Sequence, residues 1–145
     1  MQESMSQALG EVFTDILNRL RGEMREGLAD LPLSLGPPDI GLLGFLARYP
    51  GSTARELCDY LGRDKAQMAR KLKQLEGAGL LGKEVDAHDR RRTHLFLTPE
   101  GEGVAKRGQQ VRQQAFASLL VGLDAREQEQ LLALLMKAAG KTDIK

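Results

Sequence analysis

The 145-residue sequence has no tryptophan, four phenylalanines, two tyrosines and a single cysteine. With aromatics so scarce, a core has to be assembled from Leu, Val, Ala and Met. A lone cysteine excludes an intrachain disulfide and fits a reducing compartment. No apolar run approaches the ~20 residues that cross a bilayer. The N-terminus lacks a basic stretch followed by an apolar one, so no secretory leader is expected and the expected location is the cytoplasm. There is no Gly-rich phosphate loop and no nucleophile–base–acid set, so the expectation is a non-enzyme without a cofactor.

An excess of one charge is missing as well, since the net charge is only +1. Its distribution is uneven. Residues 63–92 hold nine Lys/Arg against five Asp/Glu, a local +4 that leaves −3 for the remainder. A basic patch on an otherwise acidic molecule localises attraction for phosphate.

Apolar residues recur at Leu9, Val12, Phe13, Ile16, Leu17, Leu20 and Met24. This is the spacing of an amphipathic helix running roughly from residue 6 to 28. Pro32, Gly36, Pro37 and Pro38 interrupt it, and a second helix is expected over Asp39–Arg48. Gly41 and Gly44 inside that helix each cost about 1 kcal/mol relative to Ala, which suggests close packing against a neighbour. Thr53–Glu56 reads as a capping box opening a third helix that stops at Gly62, and Asp64–Gln67 reads as a second box opening a fourth. Two capped helices joined by so short a turn are a helix-turn-helix signature. Met68, Leu72 and Leu75 form the inner stripe of the fourth helix, and Gly77 and Gly79 end it.

Two apolar runs then flank a polar tip, Asp86-Ala87-His88-Asp89-Arg90-Arg91-Arg92, as expected of a β-hairpin. Thr98 and Pro99 open a fifth helix with inner residues Val104, Val111, Ala115 and Leu119, and Asp124 caps a sixth with the stripe Leu131, Leu134, Leu135 and Ala138. The expected fold is mainly α with a small hairpin wing, in the order α-α-α-α-β-β-α-α. It divides into an N-terminal dimerisation helix and linker (1–38), a winged helix-turn-helix (39–98) and C-terminal dimerisation helices (99–145). The Leu-rich faces of the first and last helices exceed what a small winged unit covers. A second copy of the chain is the simplest supplier of the missing surface, which makes Leu9, Val12, Phe13, Ile16, Leu17, Leu20, Leu131, Leu134, Leu135 and Ala138 the expected dimer contacts.

A basic helix followed by a basic hairpin is the layout of a DNA reader, with double-stranded DNA as the expected partner. On the fourth helix Lys65, Gln67, Arg70, Lys71, Lys73 and Gln74 avoid the apolar stripe. Arg pairs with guanine and Gln with adenine in the major groove, so Gln67 and Arg70 are the candidates for base edges. Lys65, Lys71 and Lys73 are the candidates for phosphate. In the wing Arg90, with Arg91 second, suits the minor groove, and Arg92 a phosphate. Asp86 and Asp89 would repel DNA if free, and are expected to accept hydrogen bonds from the wing arginines and fix their aim.

From Pro50-Gly51 through Glu56-Leu57 and Asp64–Leu75 to Gly79-Leu80, the chain resembles the MarR family of winged-helix transcriptional regulators. The likeness is strongest at Asp86-x-x-Asp89-Arg90-Arg91 followed by Leu97-Thr98-Pro99-Glu100-Gly101. The resemblance implies an obligate homodimer on a pseudo-palindromic operator, often a repressor released by a small ligand. The expected ligand pocket lies among the first, second and fifth helices. Ala87 and His88 stand where the family's wing often has Pro and Arg. Ala66, Gln67 and Ala69 stand where small hydroxyl residues are common, which implies a different base preference.

Two rival readings are a regulator responding to metal or redox through His88/His94 or Cys58, and a winged-helix module that meets an acidic protein instead of specific DNA. Two histidines six residues apart without a second cysteine are a weak metal signal, so no metal is expected. Cys58 next to Leu57 reads as a small buried hydrophobe.

Overall fold

The computed structural model describes residues 2–31 and 34–142. Pro32, one of the expected helix breakers, lies outside them. Helix α1 (Gln2–Gly27) is followed by α2 (Pro37–Arg48), strand β1 (Ser52–Thr53), α3 (Ala54–Leu61), α4 (Lys65–Gly77), β2 (Leu81–Val85), β3 (Thr93–Leu97), α5 (Pro99–Leu119) and α6 (Ala125–Ala138). The expected order holds with one addition. Residues 52–53 pair antiparallel with β3, Ser52 opposite Leu95 and Thr53 opposite His94, so the hairpin becomes a three-stranded sheet in the order β1-β3-β2.

Local chemistry sets the helix starts. Gly36 is the N-cap of α2 and the two prolines fill its first turn, where a missing N–H costs nothing; the helix therefore begins at Pro37 and not at Asp39. Thr53, Asp64, Thr98 and Asp124 each accept a hydrogen bond from the backbone N–H three residues on, capping α3, α4, α5 and α6. Such a cap is worth about 1 kcal/mol.

The core lies where α2, α3 and α4 meet the sheet and α5. Leu42, Leu43, Leu46, Leu57, Met68 and Leu75 are its most deeply buried side chains. Truncating such a residue to Ala costs roughly 2–5 kcal/mol. Helix α5 approaches its neighbours at glycines. A Cβ on Gly108 would sit 2.5 Å from Ile40 Cδ1 of α2, and one on Gly101 would collide with the Leu80 carbonyl. The expected close packing at Gly41 and Gly44 is not found: a Cβ at Gly41 would make only an ordinary contact with Leu61, and one at Gly44 would meet nothing. Both glycines instead line a groove of about 1580 Å³ between α1, α2 and α5, together with Leu20, Met24, Ala105 and Phe116.

The outer helices leave apolar side chains uncovered. Leu9, Val12, Phe13 and Leu17 of α1 are about half exposed, and α6 has no buried residue at all. Leu134 and Leu135 are exposed, Leu131 is half-buried and Ala138 is exposed. Leu20 differs from the other expected dimer contacts. It is buried by the subunit's own core, and Ile16 is partly buried against that core. No helix among the described residues is long and apolar enough to cross a membrane.

Candidate nucleic-acid interface

The turn into α4 is built by Gly62, whose φ of 65° is left-handed, and by the Arg63 N–H donating back to the Cys58 carbonyl at 3.2 Å. Asp64 then caps α4 through the Gln67 N–H at 2.7 Å. With Met68, Leu72 and Leu75 buried, Lys65, Gln67, Arg70, Lys73 and Gln74 all stand exposed. Arg63, Gln67, Arg70, Lys71 and Gln74 line a shallow concavity of about 340 Å³. Arg63 was absent from the expected readers. Its only signal in the sequence is a cation one residue before an N-cap, and it takes the folded turn to bring it beside Gln67.

Lys71 departs from its expected place as a free phosphate contact. It is half-buried, and its Nζ pairs with Asp39 Oδ1 of α2 at 3.0 Å while also donating to Gln74 Oε1 at 3.1 Å. Asp39 is buried and would be costly to leave unpaired, which is why the ammonium turns inward.

The wing is a β2–β3 hairpin whose tip is held by its own aspartates. Asp86 Oδ1 accepts from the His88 and Asp89 backbone N–H groups at 2.8 and 3.0 Å. Its Oδ2 lies 2.7 Å from His94 Nε2. Asp86 therefore bonds the tip backbone and a histidine, not the arginines it was expected to aim; a carboxylate this close to two free N–H groups closes the turn first. Asp89 does hold an arginine, Arg91, at 3.2 Å. Arg92 lies 3.9 Å from Glu56 of α3, with both side chains more than half exposed, so that ion pair adds little stability. Arg90 is exposed and has no ion pair among the described residues.

His94 binds acceptors on both ring nitrogens, Asp86 on one and the Gly51 carbonyl on the other at 2.8 Å. A neutral imidazole has one N–H and satisfies one acceptor; the imidazolium satisfies both. The hydrogen bond to Asp86 accordingly raises the His94 pKa, with the Gly51 carbonyl adding to the shift. The His94 hydrogen bond and the tip N–H groups lower Asp86 to about 2. The result is a hydrogen-bonded link joining β3, the wing tip and the segment that leads into α3, strongest when the imidazole is protonated. Among the described residues no group of three His, Cys, Asp or Glu could hold a metal. Cys58 is half-buried, with Sγ 4.0 Å from the Asp64 carbonyl.

Comparison with known proteins agrees with this geometry. A family described as "Winged helix DNA-binding domain" matches residues 35–101. "Transcriptional regulator HosA" of Escherichia coli O127:H6 is 32% identical over 108 residues, covering 74% of this chain and 79% of the relative. The crystal structure of MarR superposes with a TM-score of 0.77 at 26% identity, over 91% of this chain and 95% of that one. The fold is also that of the "Transcriptional repressor, CouR, bound to a 23-mer DNA duplex", with a TM-score of 0.81 at 24% identity over 96% and 97% of the two chains. The capped helix pair, the basic face of α4, the Asp/Arg wing and these relatives agree: the chain belongs to the MarR family of winged helix-turn-helix regulators, and is a DNA-binding transcriptional regulator and not an enzyme.

Proposed function

We propose that the protein is a homodimeric repressor that grips a pseudo-palindromic operator and is released from it by a small ligand. In this reading α4 enters the major groove with Gln67 and Arg70 on base edges, Lys65 and Lys73 meet phosphates, and Arg90 enters the flanking minor groove with Arg91 beside it. Arg92 contacts the backbone. The observation that carries the reading is the division of α4 into a buried Met68/Leu72/Leu75 stripe and an exposed cation- and amide-bearing face, next to a wing whose Arg90 has no ion pair among the described residues.

Residues 1–38 and 99–145 would form the dimer region around the reading unit of 39–98. The exposed apolar faces of α1 and α6 support this division. Two α4 helices would then meet successive major grooves about 34 Å apart. The groove between α1, α2 and α5 suits an effector. Its apolar walls carry Arg21, Lys106 and Arg112, which favours an apolar molecule with a negative charge. A ligand that binds better to one spacing of the two reading heads would shift the equilibrium away from DNA.

Selection from a pool of randomised duplexes, followed by footprinting, tests the proposal. Recovery of inverted half-sites one helical turn apart is expected. Recovery of no preferred sequence, or binding that depends on salt alone, would overturn it.

A further inference from the structure

Three side chains link the interior of the subunit to the base-reading face. The Asp39 carboxylate is buried beneath the start of α2, where its Oδ2 accepts from the Gly36 N–H at 2.8 Å and its Oδ1 binds Lys71 Nζ at 3.0 Å. The same ammonium donates to Gln74 Oε1 at 3.1 Å. An ammonium carries donors and no acceptor, so the atom of Gln74 that faces it must be the carbonyl oxygen. The amide –NH₂ is thereby turned away from Lys71. Gln74 is exposed and lies on the face that also presents Gln67 and Arg70, about two turns and one turn earlier in the helix.

Reading adenine with glutamine requires both amide atoms, the oxygen accepting from N6–H and the nitrogen donating to N7. A glutamine oxygen held by an ammonium keeps a second lone pair, but its direction is fixed toward Lys71, so the amide –NH₂ is the group left to aim into the groove. Donors match guanine O6 and N7 or thymine O4 without conflict, whereas adenine offers them only N7 beside an N6 amino group that wants an acceptor, and cytosine offers only an amino group. We infer that Lys71, held by Asp39, is a positioning residue that turns Gln74 into a reader by donation, so that the base step under Gln74 favours guanine or thymine over adenine, whose two-point contact needs the oxygen that Lys71 holds. This rests on the proposal above that α4 enters the major groove, and it replaces Lys71's expected role as a phosphate contact. It also separates the two glutamines of the helix. Gln67 makes only a backbone hydrogen bond to its N-cap and keeps a free side-chain amide among the described residues, so it retains the bidentate adenine option that Gln74 lacks.

The same randomised-duplex selection, applied to variants of the full chain, decides the matter. Wild type should recover guanine or thymine at the Gln74 step. Asp39→Asn frees the ammonium, and Lys71→Met removes it. The double variant Asp39→Asn/Lys71→Met leaves no buried charge unpaired, and so keeps the test available if either single change costs too much stability. In each folded variant adenine should be enriched about tenfold at one position per half-site. Lys71→Arg keeps both hydrogen bonds within reach and should restore the wild-type preference, which a merely structural role for Lys71 would not require. Gln74→Leu should abolish the preference at that step in every background. If the folded double variant recovers the wild-type sequence unchanged, or Gln74→Leu alters nothing, the positioning role is refuted. In that case an Arg70→Ala variant that still changes the selected sequence shows that the major-groove reading itself stands. A wild type that selects no sequence removes both.

Discussion

The sharpest test of the proposed assembly is Phe13→Asp. Phe13 is 46% exposed in the single chain, and Leu9, Val12 and Leu17 beside it are 52%, 56% and 50% exposed. Full burial of such a side chain is worth about 1.5–3 kcal/mol, so covering the exposed half of each yields roughly 1 kcal/mol. Four residues on each of two subunits give roughly 8 kcal/mol from α1, and the exposed leucines of α6 add a comparable amount. Association consumes about 4–15 kcal/mol, and a dimer stable at micromolar concentration keeps about 8 kcal/mol net, so the burial supports it when the association cost stays below about 8 kcal/mol. Two-fold symmetry places every substitution in the interface twice. Phe13→Asp removes roughly 2 kcal/mol of burial and desolvates two carboxylates at several kcal/mol each, enough to weaken the dimer by at least about a thousandfold. Phe13 is preferable to Ile16, which already packs against the subunit's own core, so that loss of the dimer is not confused with loss of the fold. Sedimentation equilibrium with far-ultraviolet circular dichroism is the assay. A folded wild-type monomer at micromolar concentration, or a Phe13→Asp chain as dimeric as wild type, would refute the reasoning.

Arg70→Ala should cost about 1–3 kcal/mol on the preferred site and relax selection at one base position, whereas Lys73→Ala should weaken specific and random duplexes alike; competition titrations separate the two. Arg90→Ala should lower affinity more for operators with A·T-rich flanks than with G·C-rich flanks, with Arg90→Lys rescuing only in part, and equal losses on both would make Arg90 a plain phosphate contact. The His94 link has a defined pH window. Because the His94 pKa is raised in the fold, its contribution is complete below the ordinary histidine value and lost as pH climbs through the raised one; Asp86, lowered to about 2, contributes above the ordinary carboxylate range and fails only in strong acid. Operator affinity should therefore fall more steeply in wild type than in His94→Gln as pH rises above 6.5, the ordinary histidine value. Coincident profiles would dismiss the link as a support of the wing. Gly101→Ala should destabilise by at least about 1–3 kcal/mol in chemical denaturation, because the obstacle is the Leu80 backbone and not a mobile side chain, and a neutral result would contradict the close approach of α5 to Leu80.

Much of this architecture was legible because it is local. The caps at Thr53, Asp64, Thr98 and Asp124 act within three residues, and the α4 stripe repeats within one helix, so periodicity alone locates both the buried and the exposed face. What escaped depends on residues far apart in the chain. Strand β1 is two residues long and exists only because β3 offers it a partner more than forty positions later. Asp39 and Lys71 come from different helices, and neither sequence neighbourhood hints that the second neutralises the first. Asp86 looked like an arginine partner because arginines follow it, but His94 arrives from the opposite strand and takes the free oxygen. Gly41 and Gly44 suggested a tight helix contact. They lie instead on the wall of an open groove, since a glycine in a sequence does not say whether the space beside it is filled.

The two faces of α4 set different rules for how this protein can change over generations. Gln67 and Arg70 contribute nothing to the buried stripe, so if α4 reads bases as proposed, their replacement would alter which promoters are recognised without endangering the fold, and a duplicated gene could acquire new targets there by single steps. Gln74 is not so free. Its amide is held through Lys71 to a buried carboxylate, and under the proposed role a new preference at that position would have to be reached together with a compensating change in α2. Part of the recognition code can thus drift residue by residue, while the rest is inherited with the subunit that carries it.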